Sequence, residues 1–348
     1  GGLGHPRTIA IVGGMAPRDS QQSLFGAPVP APPEPPPGFD LDAAARLPAG
    51  VRFGTSSWVY PGWKGQIYRS SWSSERAFRQ ESLAEYVRWP WFRAVGVDAT
   101  FYGPPAAATV SRWAEQLPPD FRIVPKVWEH VTIPRFPGHA RYGDKAGQRN
   151  PHFLDPELFV REVLPPLEPV ADRIGALLFQ LQEFPPRVLP HLPRIIERFD
   201  RFFAGLPTHL RYAVEVRTPE LLVPDWFAML RRHDVAHCFN AWTRMPPIRE
   251  QRRLAAEGGG VVDDLRVLRL LTPSGLGYQD SVERFQPYDR LQQPLPDVRE
   301  DVVDAVLEGL AAGSEAIILA NNRLEGNSPA TIDALGRMVL ARLDEVGG

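Results

Sequence analysis

Cysteine is nearly absent from this 348-residue chain: Cys238 is the single one. That excludes a disulfide framework and any zinc or iron–sulfur site built on cysteines, and it fits a reducing compartment. Lysine is almost as scarce, with only Lys64, Lys126 and Lys145 against 36 arginines. Apolar runs are short, and stretches such as Gly175–Leu181 fall far below the roughly 20 residues that span a bilayer, so no membrane partner is expected. Neither sign of charge dominates. A net charge of −2 argues against wholesale electrostatic capture of nucleic acid, while leaving room for a local basic face. No basic–apolar–small-residue leader pattern opens the chain, and the cytoplasm is the expected location.

Proline, by contrast, is abundant: the 38 prolines are about twice the usual share. Nine of them lie in residues 1–38, and Ala27–Gly38 reads APVPAPPEPPPG. Such a polyproline-type tract cannot bury a core. Residues 1–50 are therefore expected to be a disordered Pro-rich tail, and 51–348 the folded domain. Within the tail, Thr8–Gly14 (TIAIVGG) looks like a strand running into a glycine turn. It lacks the later glycine and the helix of a dinucleotide fingerprint, and no cofactor is expected.

From Val51 onward, short β-branched or apolar runs recur at Val51–Thr55, Ala94–Asp98, Phe121–Val127, Gly175–Leu181, Leu210–Val216, Val235–Asn240, Leu265–Leu271 and Glu315–Ala320. A stretch with helical periodicity follows each one. Asp155-Pro156, Thr218-Pro219 and Ser328-Pro329 place a capping side chain before a proline at the first helical position. Eight such units predict an α/β fold, a (β/α)₈ TIM barrel; an open doubly wound sheet is the second reading of the same alternation. The irregular segment Trp128–Leu154 is too long for an ordinary connection and is expected to be a lid or wall over the functional face.

Chemistry on a barrel sits at the C-terminal strand ends. Lys126 lies at the end of the third run, where it can act as a point charge on an anion or, if desolvated, as a base or Schiff-base former. Glu215 and Arg217 lie two residues apart, on one side of the fifth strand. A carboxylate beside a guanidinium keeps a low pKa, and a buried structural pair reads equally well. Asn321 and Asn322 offer two amides at the last strand, with a turn as the plain alternative. Lys126 and Glu215 are the expected catalytic residues. Thr55, Ser57, Trp58, Asp98, Tyr102, Gln180, Arg217, Asn240, Asn321 and Asn322 are expected to bind a small-molecule or nucleotide-like ligand. Seven of the nine tryptophans fall between Trp58 and Trp128, so aromatic stacking on a sugar or base competes with plain packing. A facing pair of glycosidase carboxylates is hard to assemble beyond Glu183 and Glu215. Histidine and carboxylate ligands at the strand ends are too few for a metal site.

Several of these residues lie in segments with a wider likeness. Gly54–Gly65 (GTSSWVYPGWKG), Thr100-Phe101-Tyr102 and Val124-Pro125-Lys126-Val127, followed by Leu178-Phe179-Gln180, Arg211–Arg217 and Asn321-Asn322, resemble in order the domain-of-unknown-function 72 (YecE-like) family, over roughly Val51–Val346. The resemblance implies a TIM barrel and no established activity. It also exposes departures. The family pattern has a Glu and an Asn where this chain has Gly96 and Asp98, a Thr-His pair where it has Thr132-Ile133, and an Arg-hydrophobic-His-Gly run where it has Arg269-Leu270-Leu271-Thr272. A histidine-dependent mechanism therefore does not carry over.

One tail motif points elsewhere. Gln21-Gln22-Ser23-Leu24-Phe25 resembles the peptides that dock in the bacterial sliding clamp, with Leu24 and Phe25 filling an apolar pocket and Gln21 setting the register. Two expectations follow. One is a metal-independent enzyme acting on a phosphorylated or sugar-containing substrate. The other is a non-catalytic, nucleic-acid-associated protein recruited to the clamp by its tail.

Overall fold

Alternation decides the architecture. Along Leu265–Leu270, residues 265 and 267 join a narrow apolar cluster with Ala94, Val124, Leu178, Ala213, Cys238 and Leu319, one small or medium side chain from nearly every strand. Leu268 and Leu270, of the other parity, join a larger, aromatic-rich cluster shared with the surrounding helices. Two such faces on each strand mean an interior and an exterior, which a closed parallel sheet provides.

A computed structural model describes residues 41–347. Its strands are β1 (Val51–Thr55), β2 (Phe92–Val97), β3 (Arg122–Pro125), β4 (Leu177–Gln180), β5 (Tyr212–Glu215), β6 (Val235–Ala241), β7 (Leu265–Leu270) and β8 (Glu315–Ala320). Every ladder is parallel, in the order β3-β2-β1-β8-β7-β6-β5-β4. The remaining seam, between β3 and β4, is crossed by isolated bridges Ile123↔Ile174 and Lys126↔Leu178. There Gly175 N–H donates to the Ile123 carbonyl at 2.8 Å and Val127 N–H to that of Leu178 at 2.9 Å. A doubly wound sheet would leave two open edges; here the barrel closes, loosely, at the strand that carries Lys126.

All eight expected strands are present; β3, β4 and β5 are each three residues shorter than their apolar runs, and the others match theirs in length to within a residue. Asp155 caps as expected, its carboxylate accepting from Leu158 N–H at 3.0 Å. Thr218 heads the short 3-10 turn Pro219–Leu221 without capping it: its hydroxyl accepts from Phe184 N–H at 2.8 Å, and the α-helix begins at Pro224. The Ile248–Glu257 helix forms despite a weak apolar stripe, because Gln251 turns inward to brace β6.

A helix at Leu41–Arg46, inside the stretch read as tail, packs on the barrel bottom. Ala44 and Leu47 are buried, and Arg46 pairs with Asp344 of the C-terminal helix at 2.7 Å. The docking motif Gln21, Leu24 and Phe25, with the rest of the Pro-rich stretch, lies outside the described residues.

The tryptophan excess is mostly packing. Trp58, Trp63, Trp89, Trp91 and Trp113 are all buried, each gaining on the order of 2–3 kcal/mol from its removal from water. The 128–154 segment is a wall rather than a loose flap. Trp128 stacks on His130 at 4.0 Å, Phe136 and Tyr142 form a satellite core with Ile133, and the Asn150 amide donates to the carbonyls of His130 and Ile133 at 2.7 Å. Glu129, buried within it, accepts from Tyr142 Oη at 2.8 Å and from Arg141 at 2.7 Å; burial raises its carboxyl pKa, and these two partners partly offset that.

Candidate functional site

Continuing the interior register upward by two residues turns the apolar barrel polar in a single layer. Above Val124, Leu178, Ala213 and Val267 stand Lys126, Gln180, Glu215 and Arg269. Asp98 joins them from the turn after β2. These groups form one continuous network. Lys126 Nζ lies 2.9 Å from Asp98 Oδ1, and Arg269 reaches the same oxygen at 3.3 Å. The other end of the Arg269 guanidinium donates to Glu215 Oε2 and, at 3.3 Å, to Gln180 Oε1. The second oxygen of Glu215 accepts from Arg217 Nε at 2.8 Å, and the Arg217 guanidinium in turn lies over the Trp242 ring, 4.1 Å from its centroid.

Burial and company set the protonation states. Burial pushes the Lys126 ammonium down and the Arg269 charge pushes it further, so that Asp98 and Glu215 leave it at about 8. Burial alone would raise the Glu215 carboxyl, but Arg269, Arg217 and Lys126 outweigh it and hold the group at about 2. Arg269, although buried, is kept protonated by Glu215 and Asp98.

Above this layer opens a cavity of about 370 Å³ bordered by Asp98, Lys126, Arg217, Arg269 and Arg323, with tyrosines 60, 102, 278 and 288 around it. Arg323 lies over the Tyr278 ring at 4.4 Å, and Arg141 of the wall lies over Tyr102 at 4.8 Å. Four cations line the cavity against one carboxylate, Asp98; even with Glu215, buried beneath, the excess is two positive charges in a chain whose overall charge is −2. Among the described residues no group of three or more His, Cys, Asp or Glu stands together as metal ligands.

The expected site residues divide. Lys126, Asp98, Gln180 and Arg217 meet in the network, and Thr55, Ser57, Tyr102, Asn321 and Asn322 also border the cavity. Thr55 is tied down by Tyr86 Oη and the Ser57 carbonyl, each at 2.8 Å. The two asparagines spend their side-chain carbonyls on the backbone N–H groups of Arg323 and Ser328. Three residues are placed differently from expectation. Trp58 turns into the core, edge-on to Trp113 at 5.7 Å. Asn240 is fully buried and braces the Val216 carbonyl at 2.9 Å. Glu215 has no solvent exposure, with both oxygens taken by guanidinium groups, so it cannot serve as a proton acceptor in the cavity. Glu183, weighed above as a second carboxylate, pairs with Arg244 on the surface.

Arg269, Arg323, Trp242, Tyr278 and Tyr288 escaped the sequence-based set. A signal for Arg269 was present: it shares parity with Leu265 and Val267, so it is a charge on the inward face of an apolar strand. Arg323 and Tyr278 come from the first turns of the helices Asn322–Glu325 and Tyr278–Phe285, and Tyr288 from the segment after the latter; no periodicity reveals that they converge. The glycine at 96 has a steric reason. A Cβ there would lie 2.8 Å from the Ser56 carbonyl oxygen, so β1 and β2 approach too closely for a side chain.

A family model described as "Protein of unknown function DUF72" matches residues 52–346. Among solved structures, a DUF72 family protein from Enterococcus faecalis aligns at 17% identity over 84% of this chain and 95% of that one, with a TM-score of 0.51. A DUF72 family protein from Thermotoga maritima aligns at 19% identity over 84% and 99%, also with a TM-score of 0.51. At such identities the likeness speaks for the fold. No curated protein matches the chain.

Proposed function

The chain belongs to the DUF72 family, and from that premise and the charge of its pocket we propose that it is a metal-independent barrel enzyme acting on a small phosphorylated or sugar-containing substrate. The carrying observation is the excess of cations, Lys126, Arg217, Arg269 and Arg323, around a cavity whose one bordering carboxylate is Asp98, with Glu215 buried beneath it. Guanidinium groups present fixed donor pairs to phosphate or carboxylate oxygens. Arg217, braced between Glu215 and Trp242, and Arg323, braced by Tyr278, are the ones arranged to hold the anion. Glu215 is then a positioning residue that fixes two guanidinium groups from below. Asp98 and Lys126, 2.9 Å apart at the cavity wall, are the pair placed to move a proton.

Titration calorimetry with glucose 6-phosphate, glucose and inorganic phosphate tests this. The phosphorylated sugar should bind more tightly than glucose, and added salt should weaken it. Arg217→Ala should lower its affinity about tenfold or more, the worth of a charge-assisted contact. Equal binding of glucose and glucose 6-phosphate, or an Arg217→Ala protein that binds as well as the native one, would overturn the reading.

A further inference from the structure

Of the three lysines, two lie on the surface. Lys64 is exposed and sits 2.9 Å from Ser71 Oγ, and Lys145 is exposed, 5.8 Å from the Phe136 ring centroid. Lys126 alone is buried, and it alone borders the central cavity. The apolar Phe101 ring lies 5.5 Å from its Nζ, and Asp98 is its one ion-pair partner among the described residues. That partner is shared, because Arg269 approaches the same Asp98 oxygen. A guanidinium keeps its proton under all ordinary conditions, so when two cations compete for one carboxylate oxygen in a desolvated wall, the amine is the one that can give its proton up. A desolvated lysine beside a permanent cation is the arrangement that makes an amine nucleophilic. An anion clamp alone would be as well served by the arginine this chain uses almost everywhere else.

We propose that Lys126 is a nucleophilic amine that forms an imine with the substrate, so that the pocket takes an aldehyde, ketone or open-chain sugar that also carries an anionic group. The inference rests on the reading of the pocket as an anion site. In the step, the amine nitrogen bonds to the carbonyl carbon as the carbonyl π pair moves onto oxygen. One nitrogen proton passes by way of Asp98 to that oxygen, giving a carbinolamine. The C–O bond then breaks as the C=N bond forms, and the second nitrogen proton leaves with the oxygen as water. One water is released, and nothing is oxidised or reduced.

The full chain, incubated at neutral pH with D-glyceraldehyde 3-phosphate and cyanoborohydride, should yield a reduced adduct that peptide mass mapping places at Lys126. Its amine, at about 8, is deprotonated on the order of a hundredfold more often at neutral pH than an ordinary lysine, so Lys126 should be labelled well ahead of Lys64 and Lys145. Lys126→Arg keeps the cation and should keep the melting temperature while losing that adduct. D-glyceraldehyde without phosphate separates the two readings. Equal labelling of Lys126 by both probes would uphold the imine and overturn the anion site. Binding of the phosphorylated probe with no adduct, or with Lys126 labelled no faster than the surface lysines, would overturn the imine and leave the anion site standing. Neither binding nor adduct would overturn both.

Discussion

Arg269 and Glu215 meet inside the barrel mouth, from β7 and β5, with the arginine side chain 2% exposed and the glutamate fully buried. A carboxylate enclosed in this way is held by its partners, and the partners are held by it. Replacing Glu215 with Gln leaves the buried Arg269 with only its longer pairing to Asp98 and should cost roughly 3–5 kcal/mol. The midpoint of guanidinium chloride unfolding reports this, and an unshifted midpoint would show that the pair does not brace the barrel. Because the folded-state pKa is depressed from 4.5 to about 2, the contribution is complete above the ordinary carboxylate range and fades as the pH falls through that window.

Lys126 shows a linkage of the same sign in a higher window, because here it is the neutral form that folding favours. Its pKa drops from 10.5 to about 8 on folding, so between those values the unfolded chain holds the proton that the native chain has lost. Stability attributable to this residue therefore rises with pH from about 8 to 10.5. Unfolding free energies of the native protein and of Lys126→Met, measured across that range, should differ by a slope of this sign. Parallel curves would mean that the amine is not perturbed.

Gly54 lies where the β1–β2 register shifts, and a Cβ added there would fall 1.8 Å from the Ala94 carbonyl oxygen. Backbone is the obstacle, so no rotamer change relieves it. Gly54→Ala should destabilise the protein by about 1–3 kcal/mol or more, with the melting temperature as readout. A native-like melting temperature would show that the two strands can part.

For the motif Gln21, Leu24 and Phe25, immobilised bacterial sliding clamp should retain the full chain and release a Leu24→Ala, Phe25→Ala double variant. Capture that survives both substitutions would remove the clamp as a partner of this segment.

Much of this molecule was legible in its sequence. Eight apolar runs, each with a helical stretch behind it, specify alternating elements, because period-two and period-3.6 burial are local properties of the chain. The polar residues that end those runs are equally local, which is why Lys126, Asp98, Gln180 and Arg217 could be named before any fold was known. Lysine scarcity pointed to Lys126 by the same kind of reading. What tertiary structure decided was direction and company. Trp58 and Tyr102 look alike as loop aromatics, but one packs against Trp113 while the other stands 63% exposed at the rim. Glu215 and Lys126 look alike as strand-end ions. Closure of the barrel brings Arg269, 54 residues on from Glu215, up beneath the pocket, enclosing the carboxylate as a brace and leaving the Lys126 amine at the cavity wall. Ionisation depends on every charge within a few ångströms, and sequence order does not record which charges those are.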